Sequence, residues 1–370
     1  MTLTTILFFA FVVIVTIQVT YYFAFLFSFS IKQEDIRLKN QVPLSVIICA
    51  KNEAENLKKN LPYIIQQDYN NFEIVLVNDG STDKTLKIME LFASKHNTIK
   101  IVDVKTIEAF WGNKKYALTL GIKASSNNFL VFTDADCKPN SDKWLAHLSS
   151  KFSNNNAIVL GYGAYAKKPF SFLNKLIRFE TLLTAIQYFS YTKLGMPYMG
   201  VGRNLAYRKE LFFDNSGFND HMSIKSGDDD LFINAIANNK NTAICVSRES
   251  MTISEPKTTF KDWILQKRRH ITTARFYKSK HQILLGLFYI SQLTFWIFSG
   301  ILLLVGYNWP WLIALIICRI TIQFFSVGFA AKKLNTIDLL FVTPVLEIFL
   351  VFMQLSIFIA NLIATPKHWK

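Results

Sequence analysis

Two carboxylates one residue apart, Asp134 and Asp136, end the apolar and β-branched run Phe129-Leu-Val-Phe-Thr133. Such a run reads as a buried strand, and in an open α/β sheet ligands gather beyond the carboxyl ends of the strands. Two acids placed there can hold a hard divalent cation against a diphosphate, and without a cation they repel each other. Taken alone, Asp-x-Asp fits equally a strand end that caps a helix starting near Asn140-Ser141. Three further polar clusters bear on the choice. Val77-Asn-Asp79-Gly80-Ser-Thr-Asp83 puts an acid at a strand terminus and a glycine that permits a tight turn. There Asp83 or Ser81 suits a helix cap, and Asp79 sits where a base or ribose would be contacted. Cys49-Ala50-Lys51-Asn52-Glu53 is a polar turn after another apolar run. Gly227-Asp228-Asp229-Asp230-Leu231 packs three carboxylates where a helix begins, more than capping requires. Transfer to an alcohol needs a base for the hydroxyl proton, and this loop can provide one.

The elements that carry these clusters alternate strictly. Residues 44–50, 72–77, 99–104 and 129–133 read as strands, and 52–67, 83–96 and 114–124 as helices with apolar residues at helical spacing. That alternation predicts a mostly parallel sheet with helices on both faces. Residues 157–165 add a strand. Residues 170–194 form a helix in which Phe172, Leu176, Phe179, Leu183 and Ile186 make an apolar stripe opposite Lys175, Arg178 and Glu180. Its aromatic load favours a helix lying at a membrane interface over one facing a soluble core. Tyr198-Met-Gly-Val-Gly202-Arg-Asn204 offers small residues that let a sugar approach the backbone, or else forms a plain turn.

At 370 residues with 51% hydrophobic content and 33 Phe, the chain is too apolar for an ordinary soluble enzyme. Residues 1–31 carry no charge, and Lys32, Glu34, Asp35, Arg37 and Lys39 follow at once. This pattern reads as a retained transmembrane anchor with the rest of the chain on the cytoplasmic side. A domain over 42–280 follows, then a membrane region over 283–364 with spans near 283–305, 309–331 and 338–363. Trp309 and Trp311 mark one turn as interfacial and Lys332-Lys333 mark the next as cytoplasmic. Four spans place Lys367, His368 and Lys370 outside, against the charge rule. A net charge of +15 suits an anionic membrane surface and anionic substrates, and the transmembrane ends argue against nucleic acid. The four cysteines lack metal-ligand spacing and indicate a reducing compartment. Arg319 and Glu347 fall inside the last two spans, roughly 19 Å and 14 Å from their common turn at 1.5 Å per residue. Ionised groups at that depth need partners, so the two are expected to pair.

Ser45-Val-Ile-Ile-Cys-Ala-Lys-Asn-Glu53, Val77-Asn-Asp-Gly-Ser-Thr-Asp83, Lys114-Lys-Tyr-Ala-Leu118, Thr133-Asp-Ala-Asp136, Gly227-Asp-Asp-Asp230 and Gln266-Lys-Arg-Arg-His270 stand in an order that resembles membrane-embedded family 2 glycosyltransferases. These are the synthase-like type, with cellulose, hyaluronan and chitin synthases and ceramide glucosyltransferases. The resemblance covers about residues 42–280 and implies a GT-A fold that binds a nucleotide sugar, usually a uridine diphosphate sugar, with Mg²⁺ or Mn²⁺. It implies that Ala50, Asn52, Glu53 and Asp79 contact the nucleoside, Lys114 the uracil or phosphate region, and Asp134 and Asp136 the diphosphate and metal. Asp229 would be the base of an inverting transfer, and Asp228 and Asp230 would orient it or the acceptor. Gly202 and Asn204, with Gln266, Arg269 and His270, would serve the acceptor and diphosphate. The family pattern is Gln-x-x-Arg-Trp, and His270 in place of the tryptophan offers less stacking area, which favours short additions over a processive polymer. The expected function is sugar transfer to a membrane lipid or a growing cell-envelope glycan, in a multi-pass protein of a bacterial inner membrane. A polyprenyl-phosphate acceptor, or a non-catalytic envelope or export subunit on the same scaffold, are the alternatives.

Overall fold

The computed structural model of the chain describes residues 2–30, 42–105, 114–224 and 226–363. The basic cluster at Lys32 to Lys39 and the tail residues Lys367, His368 and Lys370 lie outside them. In chain order the elements are α1 (Leu3–Ser30), β1 (Leu44–Ala50), α2 (Ala54–Ile65), β2 (Phe72–Asp79), α3 (Thr85–Ala93), β3 (Ile99–Val104), α4 (Lys114–Ala124) and β4 (Phe129–Phe132). Next come β5 (Cys137–Pro139), α5 (Trp144–Ser149), β6 (Ile158–Leu160), β7 (Gly163–Tyr165), α6 (Phe172–Lys193), β8 (Leu205–Arg208), α7 (Lys209–Asp214) and α8 (Asp230–Ile236). The chain then forms β9 (Thr242–Ile244), β10 (Thr252–Ser254), α9 (Phe260–Ile271), α10 (Ser279–Val305), α11 (Trp309–Lys333) and α12 (Thr343–Ile363). They divide into an α/β unit and a helical unit, the latter comprising α1, α6 as far as Ser190, and α9 to α12.

In the α/β unit a seven-stranded sheet has the order β3-β2-β1-β4-β8-β6-β9. The strands β1 to β4 are parallel, as their continuous apolar runs dictate, and β1 and β2 are buried almost throughout. Gly121 lets α4 sit close on the sheet, since a Cβ there would meet Val77 Cγ2 at 2.6 Å. The fold is the mixed α/β arrangement of the GT-A type. The sheet departs from the parallel expectation at β8, which runs antiparallel to both β4 and β6. That reversal matters for position: Leu205 at the start of β8 pairs with Phe132 at the end of β4. The turn before β8 therefore lies at the same sheet edge as the carboxyl ends of β1, β2 and β4.

Two local expectations are corrected. Residues 157–165 make two strands, because the chain breaks at Gly161, and β6 stays in the large sheet while β7 joins β10 and β5 in a three-stranded one. After Asp136 the chain enters β5, and the next helix starts only at Trp144, so Asp134 and Asp136 do not cap a helix at Asn140-Ser141.

In the helical unit α1, α10, α11 and the stretch Ile337–Ile363 are long and apolar enough to cross a membrane. The chain ends of this bundle are tied. Lys333 Nζ donates to Phe29 O at 2.5 Å, so α1 and α11 finish together, and Tyr21 OH donates to Leu284 O at 2.8 Å, so α10 starts there. At the other end Thr5 Oγ1 and Tyr307 OH are 3.0 Å apart. The stripe of α6 is not presented outward: Leu176, Phe179, Leu183 and Ile186 are buried, and only Phe172 is partly exposed. Two charges on its polar side also find partners within the protein. Arg178 makes a two-pronged pair with Asp338 at 2.8 and 2.7 Å, and Glu180 meets Lys267 at 2.6 Å. Lys267 and Arg268 are thereby committed within the protein. Arg268 donates to Asn361 Oδ1 at 2.8 Å and Ala360 O at 3.1 Å, which ties the last turns of α12 to α9.

The expected pairing of Arg319 and Glu347 is present, at 2.8 Å and 2.5 Å, with both side chains fully buried. It is wider than a two-helix contact. Arg319 also donates to Gln323 Oε1 at 2.6 Å and to Gln18 Oε1 at 2.9 Å, Gln292 donates to Glu347, and Tyr22 OH donates to Glu347 at 3.1 Å. The guanidinium lies 4.5 Å from the Phe295 ring centroid and 5.0 Å from that of Tyr22. Side chains from α1, α10, α11 and α12 thus supply hydrogen bonds to one buried ion pair, which hydrocarbon would otherwise leave several kcal/mol unfavourable, while Arg319 Nε has no hydrogen-bond partner among the described residues. Glu347→Gln leaves a buried guanidinium uncompensated and should destabilise the protein by about 3–5 kcal/mol. Arg319→Leu combined with Glu347→Leu should cost less than that single change. Thermal unfolding in detergent compares them, and a double variant that is worse than Glu347→Gln would refute this account.

Candidate active site

The turns after β1 and β2 are stitched to each other. Asn52 adopts φ +56°, accepts Thr82 N on its Oδ1 at 2.8 Å, and donates its own N–H to Ser81 Oγ at 3.0 Å. Asp83 accepts from Thr85 N at 2.9 Å and Ala54 N at 3.3 Å, so it serves two helix starts, as its capping role requires. Glu53 N donates to Thr85 Oγ1 at 2.8 Å, and Ala50 is buried at the end of β1. These contacts fix the floor on which Asp79 stands. Burial raises the Asp79 carboxyl above its ordinary range, and the nearby Lys51 and Lys114 ammonium groups oppose the rise.

Lys114, at the first turn of α4, reaches Asp134 Oδ1 at 2.9 Å and Asp228 Oδ2 at 3.2 Å. One ammonium thereby joins the end of β4 to the acidic loop before α8, and the same crevice is lined by Cys49, Thr133, Gly202, Tyr207 and Asp229. The three acids of the loop have three different tasks. Asp228 pairs with Lys114. Asp229 accepts Gly202 N on Oδ2 at 2.7 Å and Asp230 N on Oδ1 at 2.8 Å, and Asp230 Oδ1 accepts Leu231 N at 2.8 Å. Gly227, at φ +93°, permits the turn into them. Burial, then Asp228 and Asp230, push the Asp229 carboxyl up to about 7, against the Gly202 N–H and Lys114. A carboxylate near 7 is poised to accept a proton from a hydroxyl.

Lys115, which the sequence reading left without a role, points the other way. Its ammonium is buried and donates to His221 O at 2.6 Å and Ile224 O at 3.0 Å, a few residues ahead of the acidic loop. Burial lowers it to about 8, while Asp228, Asp230 and Asp229 act to raise it. Lys-Lys at a helix start was visible in the sequence; that the two would face different partners was not.

Asp134, Asp136 and Cys137 bring one ligand atom each within 4.8 Å of one another. Two carboxylates match the donor set of Mg²⁺ or Mn²⁺, which take oxygen ligands and keep several from substrate or water. Burial and then Asp134 raise the Asp136 carboxyl, and Arg203 opposes that rise. Arg203 is the second residue the sequence reading passed over. It lies in the turn before β8, and its guanidinium stacks 4.2 Å from the Tyr165 ring centroid.

The remaining expected residues divide. Gly202 is in the crevice, where a Cβ would come within 3.3 Å of Asp229 Oδ2. Asn204 is fully buried, with Oδ1 accepting Trp144 Nε1 at 3.0 Å and Nδ2 donating to Tyr162 O at 3.0 Å and Ser250 O at 2.7 Å. Both amide protons are used inside the protein, so the expectation that Asn204 contacts an acceptor is corrected: it bolts the turn to the interior. Gln266, Arg269 and His270 lie on α9 in the helical unit, with His270 exposed.

The family model described as Glycosyl transferase family 2 matches residues 45–213, and that described as Glycosyl transferase family group 2 matches residues 157–360. A glycosyltransferase of Haemophilus influenzae, described as uncharacterized, is 32% identical over 130 residues, 35% of this chain and 38% of that one. Glycosyltransferase AglE of Haloferax volcanii is 30% identical over 171 residues, 46% of this chain and 51% of that one. The chain thus spans about half or less of the length of these curated relatives. A solved structure of mannosyltransferase PcManGT from Pyrobaculum calidifontis, in complex with GDP-Man and Mn²⁺, matches with a TM-score of 0.59 at 18% identity, covering 94% of this chain and 99% of that one.

Lys115→Met leaves two part-buried carbonyls without their donor, a loss of about 1–3 kcal/mol. Thermal unfolding should fall accordingly, and limited proteolysis should cut sooner between residues 215 and 226. Unchanged melting and protection would show that Lys115 does not hold this loop.

Proposed function

The chain belongs to glycosyl transferase family 2, and we propose that it moves a sugar from a nucleoside diphosphate sugar to a membrane lipid or a growing envelope glycan, with inversion. The observation that carries this is the gathering of Asp79, Asp134, Asp228 and Asp229 at one sheet edge around Lys114. Asp229 takes the hydroxyl proton as the acceptor oxygen bonds to the anomeric carbon and the bond to the diphosphate breaks. Its Oδ2 is held by the Gly202 N–H, and Asp228, through Lys114, keeps the loop against the end of β4. Asp79, with Ala50, Asn52 and Glu53 beneath it, receives the nucleoside. Asp134 and Asp136 hold Mg²⁺ or Mn²⁺, which when bound neutralises charge on the departing diphosphate. Arg269 and His270 with Gln266 serve the acceptor side. The structural neighbour's GDP-mannose and Mn²⁺ support a nucleotide sugar and a divalent ion. The base is read as uracil from the family resemblance, and guanine is what that neighbour carries.

Incubation of the purified protein with a panel of nucleotide sugars, with and without Mn²⁺, tests the reading through release of nucleoside diphosphate. No release from any member would overturn it. Asp229→Asn should keep nucleotide binding and lower transfer by about a hundredfold or more, the usual worth of a general base. Since the base form of Asp229 exists above its raised value, the wild-type rate should climb with pH through about 7 and level above it. A profile already flat from pH 5 would remove Asp229 from that role.

The membrane arrangement belongs to the same proposal. Three crossings, α1, α10 and α11, place the end of α1, Lys333 and the start of α10 on the cytoplasmic side of a bacterial inner membrane. α12 has a span's length, yet its last turns are bonded to Arg268, close in sequence to the start of α10. Its end is thus held near where α10 starts, and we do not count this one unbroken helix as a fourth crossing. A reporter fused after Lys370 should be cytoplasmic; periplasmic alkaline phosphatase activity from that fusion would restore a fourth crossing.

A further inference from the structure

We infer that Arg203 is a phosphate-binding residue, the cationic counterpart of Asp136 across the three-stranded sheet. This rests on the reading that the donor is a nucleoside diphosphate sugar. Arg203 Nη1 donates to Ser254 Oγ at 2.7 Å and Nη2 to Gly163 O at 3.0 Å, while its plane covers the Tyr165 ring. All three anchors belong to β10 and β7. In the register of that sheet Ser254 faces Tyr165 on one side and Cys137 on the other, and Cys137 follows Asp136 directly. Neighbouring strands are about 4.8 Å apart, so the two strands of the shelf that carries the guanidinium lie about 5 Å and about 10 Å from the strand that begins at the metal-binding acids.

The anchors are neutral. A hydroxyl, a carbonyl and an aromatic face orient the fork without discharging it, and two of the five N–H groups of a guanidinium are used in these bonds. The fit is also close: a Cβ on Gly163 would meet Arg203 Cβ at 3.2 Å and Nε at 3.3 Å, so the arginine would have to give by a few tenths of an ångström. Arg203, Tyr165 and Asp136 all keep part of their surface exposed. A planar, half-buried cation held by neutral groups beside a pair of carboxylates is suited to an anion that a divalent ion already draws there. A diphosphate bound at Asp134 and Asp136 supplies that anion. The phosphate of a lipid acceptor would be recognised by the same chemistry.

Calorimetric titrations of the full chain in nanodiscs with Mn²⁺ separate these sources. The probes are UDP and GDP against uridine and guanosine, and a polyprenyl phosphate against its alcohol. Arg203→Gln should weaken a phosphorylated probe by about 10-fold to 100-fold, the range for hydrogen bonds to charged groups, and leave its unphosphorylated partner unchanged. A loss confined to the nucleotides assigns Arg203 to the donor, and one confined to the lipid phosphate assigns it to the acceptor. If the wild type binds UDP or GDP and Arg203→Gln binds every probe equally well, this inference fails while the glycosyltransfer reading stands. A wild type that binds neither nucleotide nor lipid phosphate sinks both. Should Arg203→Gln not fold, Arg203→Lys keeps the charge, loses the planar fork and should weaken the same phosphorylated probes, and unchanged binding by that variant counts against the inference.

Discussion

Like charges at close range must be separated, hydrated or paired, and that constraint shapes the α/β unit. Asp134 belongs to a strand end, Asp228 to a loop almost a hundred residues later, and both contact Lys114. Replace that ammonium by an uncharged group and two carboxylates face each other in a half-buried crevice, where Coulomb repulsion is several times stronger than in water. Lys114 stays charged because the attraction of Asp134 and Asp228 outweighs its own burial cost. The loop's position relative to the sheet is therefore an electrostatic result as much as a packing one. The reversed strand β8 contributes the rest, since it brings Gly202 to the place where its N–H can hold Asp229.

The helical unit answers a similar problem with different means. Arg319 and Glu347 neutralise each other, but a bare ion pair would leave lone pairs and protons unsatisfied in an apolar bundle. Gln18, Tyr22, Gln292 and Gln323 supply them. Uncharged amides and a phenol add hydrogen bonds without adding net charge, so the knot can be buried where lysine or aspartate could not. Because its members come from four helices, the knot also selects one register among the many that Phe- and Leu-rich surfaces would pack equally well.

Much of this was legible in the residues. Continuous apolar runs ending in Asp79 and Asp134 identify central parallel strands and the edge where ligands gather, because both the run and its polar end are local features. The pairing of Arg319 with Glu347 followed from depth arithmetic in helices, whose rise per residue is fixed. What failed to show was non-local. Asn204 looks like a polar residue in a glycine-rich turn, and only the fold reveals Trp144, Tyr162 and Ser250 around its amide. The stripe on α6 has the period of a surface helix, yet Arg178 and Glu180 find Asp338 and Lys267 far along the chain, so charges on its polar face are paired within the protein too. Periodicity reports which faces are apolar; it cannot report that a charged face has met its complement.

The acidic loop carries the same lesson into chemistry. Spacing made Asp228, Asp229 and Asp230 a block, and a block of acids at a helix start is ordinary. The structure distributes them by what each can reach. Asp230 hydrogen-bonds a main-chain N–H at the helix start, and Asp228 has a full positive charge beside it. Asp229 is left between two acids, with two main-chain N–H groups as its described hydrogen-bond donors. Those bonds are directional and orient both oxygens, but burial first, and then the repulsion of its neighbours, outweigh them, and the carboxyl rises to about 7 as a consequence. The proton affinity of Asp229 thus reflects its burial and then two acidic neighbours, of which Asp228 pairs with a cation. Lys114 thus ties the loop to the end of β4 through Asp228, and it opposes the rise at Asp229 less than burial and the two acids drive it.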